Sequence, residues 1–352
     1  MKYRRPFFEC CFVPLLLAGV SLLGGCGRNK GGTREMAYVS APQAFLRDQV
    51  AAVYNKAGTV KNGEAVQVLG RDRRFARVRT SSGAEGWLEQ RYLISQQTYD
   101  AFQKLTEQSR DEPVQATAVA HSQSNIHLQP LRDAEHLYQI DQGAKVSLLK
   151  RASSEKMLSG GQARVSAGKE GAAPLTPPPL EDWWLVRDEP GHVGWVLGRM
   201  LDVDVPLEIA QYSEGQRLVA SFVLDHVGDG DRQVPQYLVL FTENKDGMPF
   251  DYNQVRVFTW NVKRHRYETA YRERNLNGVL PVTVSHENFD KEGDLPFFVV
   301  RVKDDAGNVT ERKYKLNTPI VRRVLAPGAE KEVANPSGVA RHRSSVVRKK
   351  RH

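Results

Sequence analysis

Cysteine is scarce in this chain of 352 residues: the only three, Cys10, Cys11 and Cys26, fall within the first 26 positions. Everything after them must therefore fold on an apolar core without disulfides, and has no thiol to act as a nucleophile. Long hydrophobic runs are also missing. The most apolar uncharged stretch, residues 11–25, covers 15 residues, fewer than the roughly 20 that a membrane-crossing helix needs. A broad basic surface is lacking as well. The net charge is +9, but +2 lies in residues 1–25 and +7 in residues 322–352, which leaves 26–321 neutral. A neutral body with a basic tail does not have the footprint of a nucleic-acid binder, and no nucleic-acid partner is expected. What remains is of globular composition, 40% hydrophobic and 26% charged, with length for two or three domains.

The amino terminus has the form of an export signal: Lys2, Arg4 and Arg5, then the apolar run, then small residues. Leu23-Gly24-Gly25-Cys26 resembles the bacterial lipobox. That resemblance implies removal of residues 1–25, lipidation of Cys26 and a membrane partner reached through the lipid. Gly27 in place of a retention-type Asp implies an outer-membrane position facing the periplasm. Residues 26–36 then form the anchor and a Gly-rich flexible spacer.

The body contains an internal repeat. Gly63-Glu64-Ala65-Val66-Gln67-Val68-Leu69 returns as Gly143-Ala144-Lys145-Val146-Ser147-Leu148-Leu149, 80 positions on. Phe75-Ala76-Arg77-Val78-Arg79 returns as Trp183-Trp184-Leu185-Val186-Arg187, and Gly86-Trp87 as Gly194-Trp195, both at an offset of 108. The jump in offset locates an insertion at about 151–181, whose Gly-, Ser- and Pro-rich composition predicts a loop without order of its own. Each copy alternates in short strands separated by turns such as Ser81-Ser82-Gly83 and Glu189-Pro190-Gly191. Five or so such strands in about 60 residues can enclose a core only as a small barrel.

The order of these motifs resembles the bacterial SH3 (SH3b) domain, over residues 37–94 and again over 115–202 around the insertion. In the first motif Leu46-Arg47 is followed by Asp48-Gln49-Val50, and the second copy carries His127 at the arginine position. Between the copies, residues 95–114 predict a linker helix with Ser95 as N-cap, its stripe of Tyr99, Phe102 and Leu105 packed on the first barrel. Residues 203–325 predict about seven antiparallel strands, a sandwich or barrel-like domain. The basic tail, 326–352, predicts disorder. The fold class expected is all-β.

No constellation for catalysis stands out. His121, His127 and His136 are better explained as exposed strand and loop residues than as metal ligands, and Asp225 with Asp229-Gly230-Asp231 as a hairpin turn rather than a calcium loop. No metal and no cofactor is expected, and no enzyme. The SH3b resemblance implies a groove for an extended cell-wall peptide or glycan, with Tyr38, Tyr54, Tyr92, Tyr138 and Trp184 as its candidate contacts and Trp87 and Trp195 at the core edge. The tail's cations suit an anionic polymer or head group. Two other readings stand beside wall binding: an assembly scaffold that holds an envelope protein, and a wall hydrolase with its groups in the third region. If Cys26 carries the anchor, Cys26→Ser releases the protein from the membrane fraction; a variant that still sediments with membranes rules the anchor out.

Overall fold

The computed structural model describes residues 35–156 and 178–325. The export signal, Cys26, most of the expected insertion and the basic tail lie outside the described residues. Among the described residues no helix is long and apolar enough to cross a membrane.

The first sheet is built from β1 (Glu35–Val39), β2 (Gln43–Arg47), β3 (Lys56–Lys61), β4 (Ala65–Asp72), β5 (Phe75–Thr80), β6 (Glu85–Glu89) and β7 (Leu93–Ser95). Their order is β3-β2-β6-β5-β4-β1-β7. Val60 of β3, near one end of that order, and Val39 of β1, near the other, meet Leu46, Val66, Val78 and Leu88 in a single core, so the sheet rolls into a barrel. After α1 (Gln96–Gln108) comes the second sheet: β8 (Ala116–Ala120), β9 (Ser124–His127), β10 (His136–Ile140), β11 (Lys145–Glu155), β12 (Leu180–Asp188), β13 (Val193–Leu197) and β14 (Leu201–Val203). Its order, β10-β9-β13-β12-β11-β8-β14, is the first order strand for strand.

The recurring Gly-Trp pair has a steric cause. β6 crosses β2 where Trp87 faces Arg47, and β13 crosses β9 where Trp195 faces His127. A Cβ on Gly86 would stand 2.7 Å from Leu46 Cβ, and one on Gly194 2.3 Å from Ile126 Cγ2 and 2.8 Å from the His127 carbonyl oxygen. Only glycine lets the two backbones approach this closely. The tryptophans beside them are half-buried.

Two expectations need correction. The hairpin that was to break at 151 and resume at 181 stays paired to Glu155↔Leu180, and Lys156 N donates to Pro179 O at 2.8 Å. Residues 151–155 and 180–181, which form the added pairs, contain neither Gly nor Pro, and the ladder ends where Pro179 begins the loop. The helix, capped by Ser95 Oγ accepting from Thr98 N at 3.1 Å, packs mainly on the second barrel, not the first. Phe102 joins the core of that barrel, Leu105 packs beside Leu149, Leu185 and Val193, and only Tyr99 reaches back to Tyr38. A three-residue spacing turns about 60° short of a full revolution at each step, so the stripe rotates from one neighbour to the other.

A short α2 (Leu207–Ala210) leads into β15 (Arg217–Asp229), β16 (Arg232–Thr242), β17 (Gln254–Asn261) and β18 (Arg266–Glu273), then β19 (Gly278–Asn288), β20 (Asp294–Lys303), β21 (Val309–Asn317) and β22 (Ile320–Val324). These form two antiparallel four-stranded meanders that face each other as a sandwich. Asp229-Gly230-Asp231 is the β15–β16 hairpin, with Gly230 at φ 62°. In β16, Leu238 and Leu240 point into the sandwich while Tyr237, Val239 and Phe241 pack on Ile209 of α2. Burial on both faces is why that strand reads as a continuous apolar run. The expected seven strands omit β22, a short edge strand with two arginines that lacks the alternation of a half-buried strand.

Gly194→Ala should lower unfolding stability by about 2–3 kcal/mol through overpacking. Gly70→Ala, where a Cβ meets nothing within 4 Å, should be neutral or gain about 0.5 kcal/mol. Urea unfolding of the two variants checks this; equal losses would remove the close-approach explanation.

Candidate functional site

Period-two geometry sends alternate side chains of β2 outward. Ala44 and Leu46 enter the first core, while Phe45 stands 50% exposed and Arg47 lies on the surface beside it. The loop after β2 is closed by Asp48, which accepts from Asn55 N and from Asn55 Nδ2, both at 2.9 Å. Those bonds, the side-chain one first, hold the Asp48 carboxyl below its ordinary pKa and fix the segment that presents Tyr54, which is 39% exposed.

The guanidinium of Arg47 lies 4.1 Å from the centre of the Tyr54 ring and 4.9 Å from that of Phe75, and donates to Glu89 Oε1 at 3.3 Å. Arg91 Nε pairs with the other Glu89 oxygen at 2.8 Å, and its Nη2 donates to the Tyr92 hydroxyl at 2.8 Å. The Lys56 ammonium sits 4.1 Å above the Phe45 ring. Between these groups runs an open cleft of about 210 Å³, lined by Gln43, Phe45, Arg47, Tyr54, Glu89 and Tyr92 among others. Stacked cations hold the aromatic rings in place, each contact worth about 0.5–1 kcal/mol at an exposed site. Ring faces and an amide in one groove suit an extended peptide or a sugar ring. Both oxygens of Glu89 are committed to arginines, so the one carboxylate here is a structural anion.

The matching face of the second barrel is different. At the positions of Phe45, Arg47, Tyr54, Glu89 and Tyr92 stand Asn125, His127, Ala134, Leu197 and Met200. The His127 ring meets Trp183 edge-on at 5.4 Å, and its Nδ1 lies 3.0 Å from Ala134 O. The loop between β9 and β10 is strapped down by a two-pronged pairing of Arg132 with the buried Glu181. The loop keeps a depression of about 280 Å³, lined by Leu128, Gln129, Leu131, Asp133, Ala134 and Glu135, but no aromatic ring faces it. His127 and His136, expected as exposed strand and loop residues, are instead half-buried, with ring centres 5.7 Å apart.

The structure does not gather the five sequence-selected contacts in one place. Tyr54 and Tyr92 share the first-barrel cleft. Tyr38 stacks on Tyr99 at 3.8 Å and donates to Gln96 Oε1, which engages it with α1. Tyr138 is 7% exposed, stacked on His192 at 3.7 Å and edge-on to Phe102. Trp184 is 8% exposed and borders a cavity of about 430 Å³ between the second barrel and the sandwich, where Arg217 pairs with Asp246 and Arg151 with Asp182. Sequence reasoning missed Phe45, Arg47 and Glu89. The alternation in Gln43-Ala44-Phe45-Leu46-Arg47 carried the signal for the first two, since an outward-facing Phe beside an outward-facing Arg is not needed by the core.

The family description "Bacterial SH3 domain" matches residues 43–94, the segment that forms this cleft. No curated protein matches the chain. Among solved structures it is similar to an NlpC/P60 family protein from Bacillus cereus, at 11% identity over 55% of this chain and 65% of that one, with a TM-score of 0.22. It is similar also to NlpC2 from Trichomonas vaginalis, at 12% identity over 83% and 96% with a TM-score of 0.17. A putative autolysin from Listeria monocytogenes is similar at 10% identity over 82% and 92%, again with a TM-score of 0.17. The chain thus spans just under two thirds of the Bacillus protein. Similarity at this level leaves fold and activity to be argued from the chain's own residues.

Burial holds both His127 and His136 below the ordinary histidine value of 6.5, and for His127 the neighbouring His136 charge adds to the effect. The unfolded chain then binds more protons than the folded one below that value, so stability falls as pH drops from about 6.5 until the folded rings themselves protonate. Urea unfolding across pH 7.5 to 5 should show this decline, and His127→Gln should flatten it; an unchanged slope would mean other groups cause it.

Proposed function

We propose that this is a lipid-anchored cell-envelope protein whose first barrel holds an extended cell-wall peptide or glycan strand without cleaving it. The observation that carries this reading is the open cleft of Phe45, Tyr54 and Tyr92 with Arg47 between the rings, on the segment that matches the bacterial SH3 domain. Binding without chemistry is supported by the make-up of the cleft: its carboxylate is ion-paired, and no cysteine, histidine or serine lines it. The shared strand order supports reading the second barrel as a diverged copy of the same domain, with the insertion between β11 and β12. In that reading Cys26 carries the lipid and the Gly-rich spacer presents the first barrel to the wall from an outer membrane.

A scaffold role, with another envelope protein in the same cleft, is the alternative outcome of one experiment. The protein is mixed with purified wall sacculi and sedimented. Wild type should co-sediment, and Tyr54→Ala and Phe45→Ala should each weaken retention about fivefold or more, as for exposed aromatic anchors. Retention unaltered in the double variant would dismiss the cleft. Failure to sediment at low salt, together with a captured envelope protein, would favour the scaffold, and release of soluble wall fragments would establish a hydrolase.

A further inference from the structure

At the end of the sandwich where β15 and β17 begin, three arginines converge on one carboxylate. Arg256 of β17 is 1% exposed, and its two terminal nitrogens meet Glu214 Oε1 and Oε2 at 3.1 and 2.9 Å, while Nη1 also donates to Tyr212 O at 2.7 Å. Arg272 donates to Glu214 Oε1 at 3.0 Å, and Arg274 Nη2 stands off at 3.9 Å from Oε2. Burial pulls Arg256 below the ordinary guanidinium pKa, Glu214 acts against that, and the charges of Arg272 and Arg274 add to it. Three cations facing one anion leave the cluster positively charged.

Beside it lies a depression of about 320 Å³ lined by Glu214, Gln216, Asn253, Gln254, Arg274 and Asn275. Its donors are pre-oriented by groups behind them. Buried Gln254 accepts from Arg274 Nε at 2.9 Å, which fixes the guanidinium and leaves its Nη groups available. Gln216 Oε1 accepts from Gln254 Nε2 at 2.8 Å and Arg256 Nη2 at 3.3 Å, so its own Nε2 is spare among the described residues. Asn275 is held at φ 59° by the turn that Leu276 N closes on Asn253 O at 2.9 Å. Asn253 Oδ1 is buried without a partner, an acceptor that calls for a hydrogen-bond donor such as the P–OH of a monohydrogen phosphate. Asn253 Nδ2 also donates to Glu243 Oε1 at 3.5 Å.

We propose that this depression is a binding site for a phosphate-type oxyanion, held by Arg274, Gln216 and Asn275. Guanidinium and amide donors reach it from two segments, Arg274 and Asn275 in the turn after β18 and Gln216 just before β15, and donors converging from two sides surround a tetrahedral ion better than they match the plane of a carboxylate. The site stands apart from the wall-binding cleft and does not depend on that reading.

Calorimetric titration of the full chain with inorganic phosphate, at constant ionic strength, tests it. Saturable binding is expected, with acetate at least tenfold weaker. Arg274→Gln changes a side chain that is 57% exposed and should weaken phosphate at least tenfold; Asn275→Gly, which keeps the backbone angle and loses the amide, should also weaken it. Arg323→Gln, the same charge change on an exposed edge strand, should leave it unaltered. Glycerol 3-phosphate and vesicles containing phosphatidylglycerol separate a free phosphate from one on a membrane surface, and binding of either that Arg274→Gln weakens supports the site. No saturable binding by any phosphate, equal binding of acetate, or undiminished binding by Arg274→Gln, as a basic-tail interaction would give, overturns the proposal.

Discussion

A single apolar core runs from the interior of the second barrel into the space between the sandwich sheets. Ile126, Leu148 and Val186 on one side belong to the same packed cluster as Val219, Leu238 and Phe298 on the other. Its polar margin is fixed by Arg151, an almost enclosed guanidinium that donates to Phe250 O at 2.9 Å, Asp251 at 3.2 Å and Asp182 at 2.8 Å. Asp182 in turn accepts from Ser153 Oγ and Gly247 N. A buried charge is tolerable only when its partners are all in place, so this network sets how the extended β11–β12 hairpin meets the 246–251 loop. Gln115 Oε1, accepting from Val282 N at 2.7 Å, ties the start of the second barrel to the opposite sheet.

That constraint accounts for the difference between the barrels. The second is built into a larger body on one side and covered by α1 on another, and its aromatic residues serve that packing. Tyr138 and Trp184 are large because the junctions they fill are large. The first barrel has a core of its own, against which Tyr92 packs, while Phe45 and Tyr54 stand outside it on the exposed face. Two modules with one strand order thus differ according to their neighbours, one serving mechanical support and the other keeping an open surface.

The barrels were legible because the repeated elements have local physical reasons: Gly86 and Gly194 at the crossings, Gly83 and Gly191 with φ of 86° and 95° in the adjoining hairpins, and alternation in β2, β5, β6, β8 and β9. The fused core was not legible, since Ile126 or Val219 looks the same whether it faces its own domain or another. The same ambiguity hid the division among the five candidate aromatics. A tyrosine's burial depends on what lies across from it: Tyr54 sits in the loop before β3 and Tyr138 within β10, and neither segment names the neighbour that exposes or covers the ring. The turn of the Tyr99, Phe102 and Leu105 stripe about the helix axis was present in the spacing, yet its meaning required a neighbour on each side.

The pairing of β1 with β7 sets Ala37 directly opposite Ser95. The polypeptide therefore comes into the first barrel and goes out of it side by side, at one edge of the sheet. Some sixty residues of domain add almost no length to the path between the segment before Ala37 and the segment after Ser95. Tension along the chain would bear on the short β1–β7 seam and on the bond that Asn62 Nδ2 donates to Leu137 O of the second barrel at 2.6 Å.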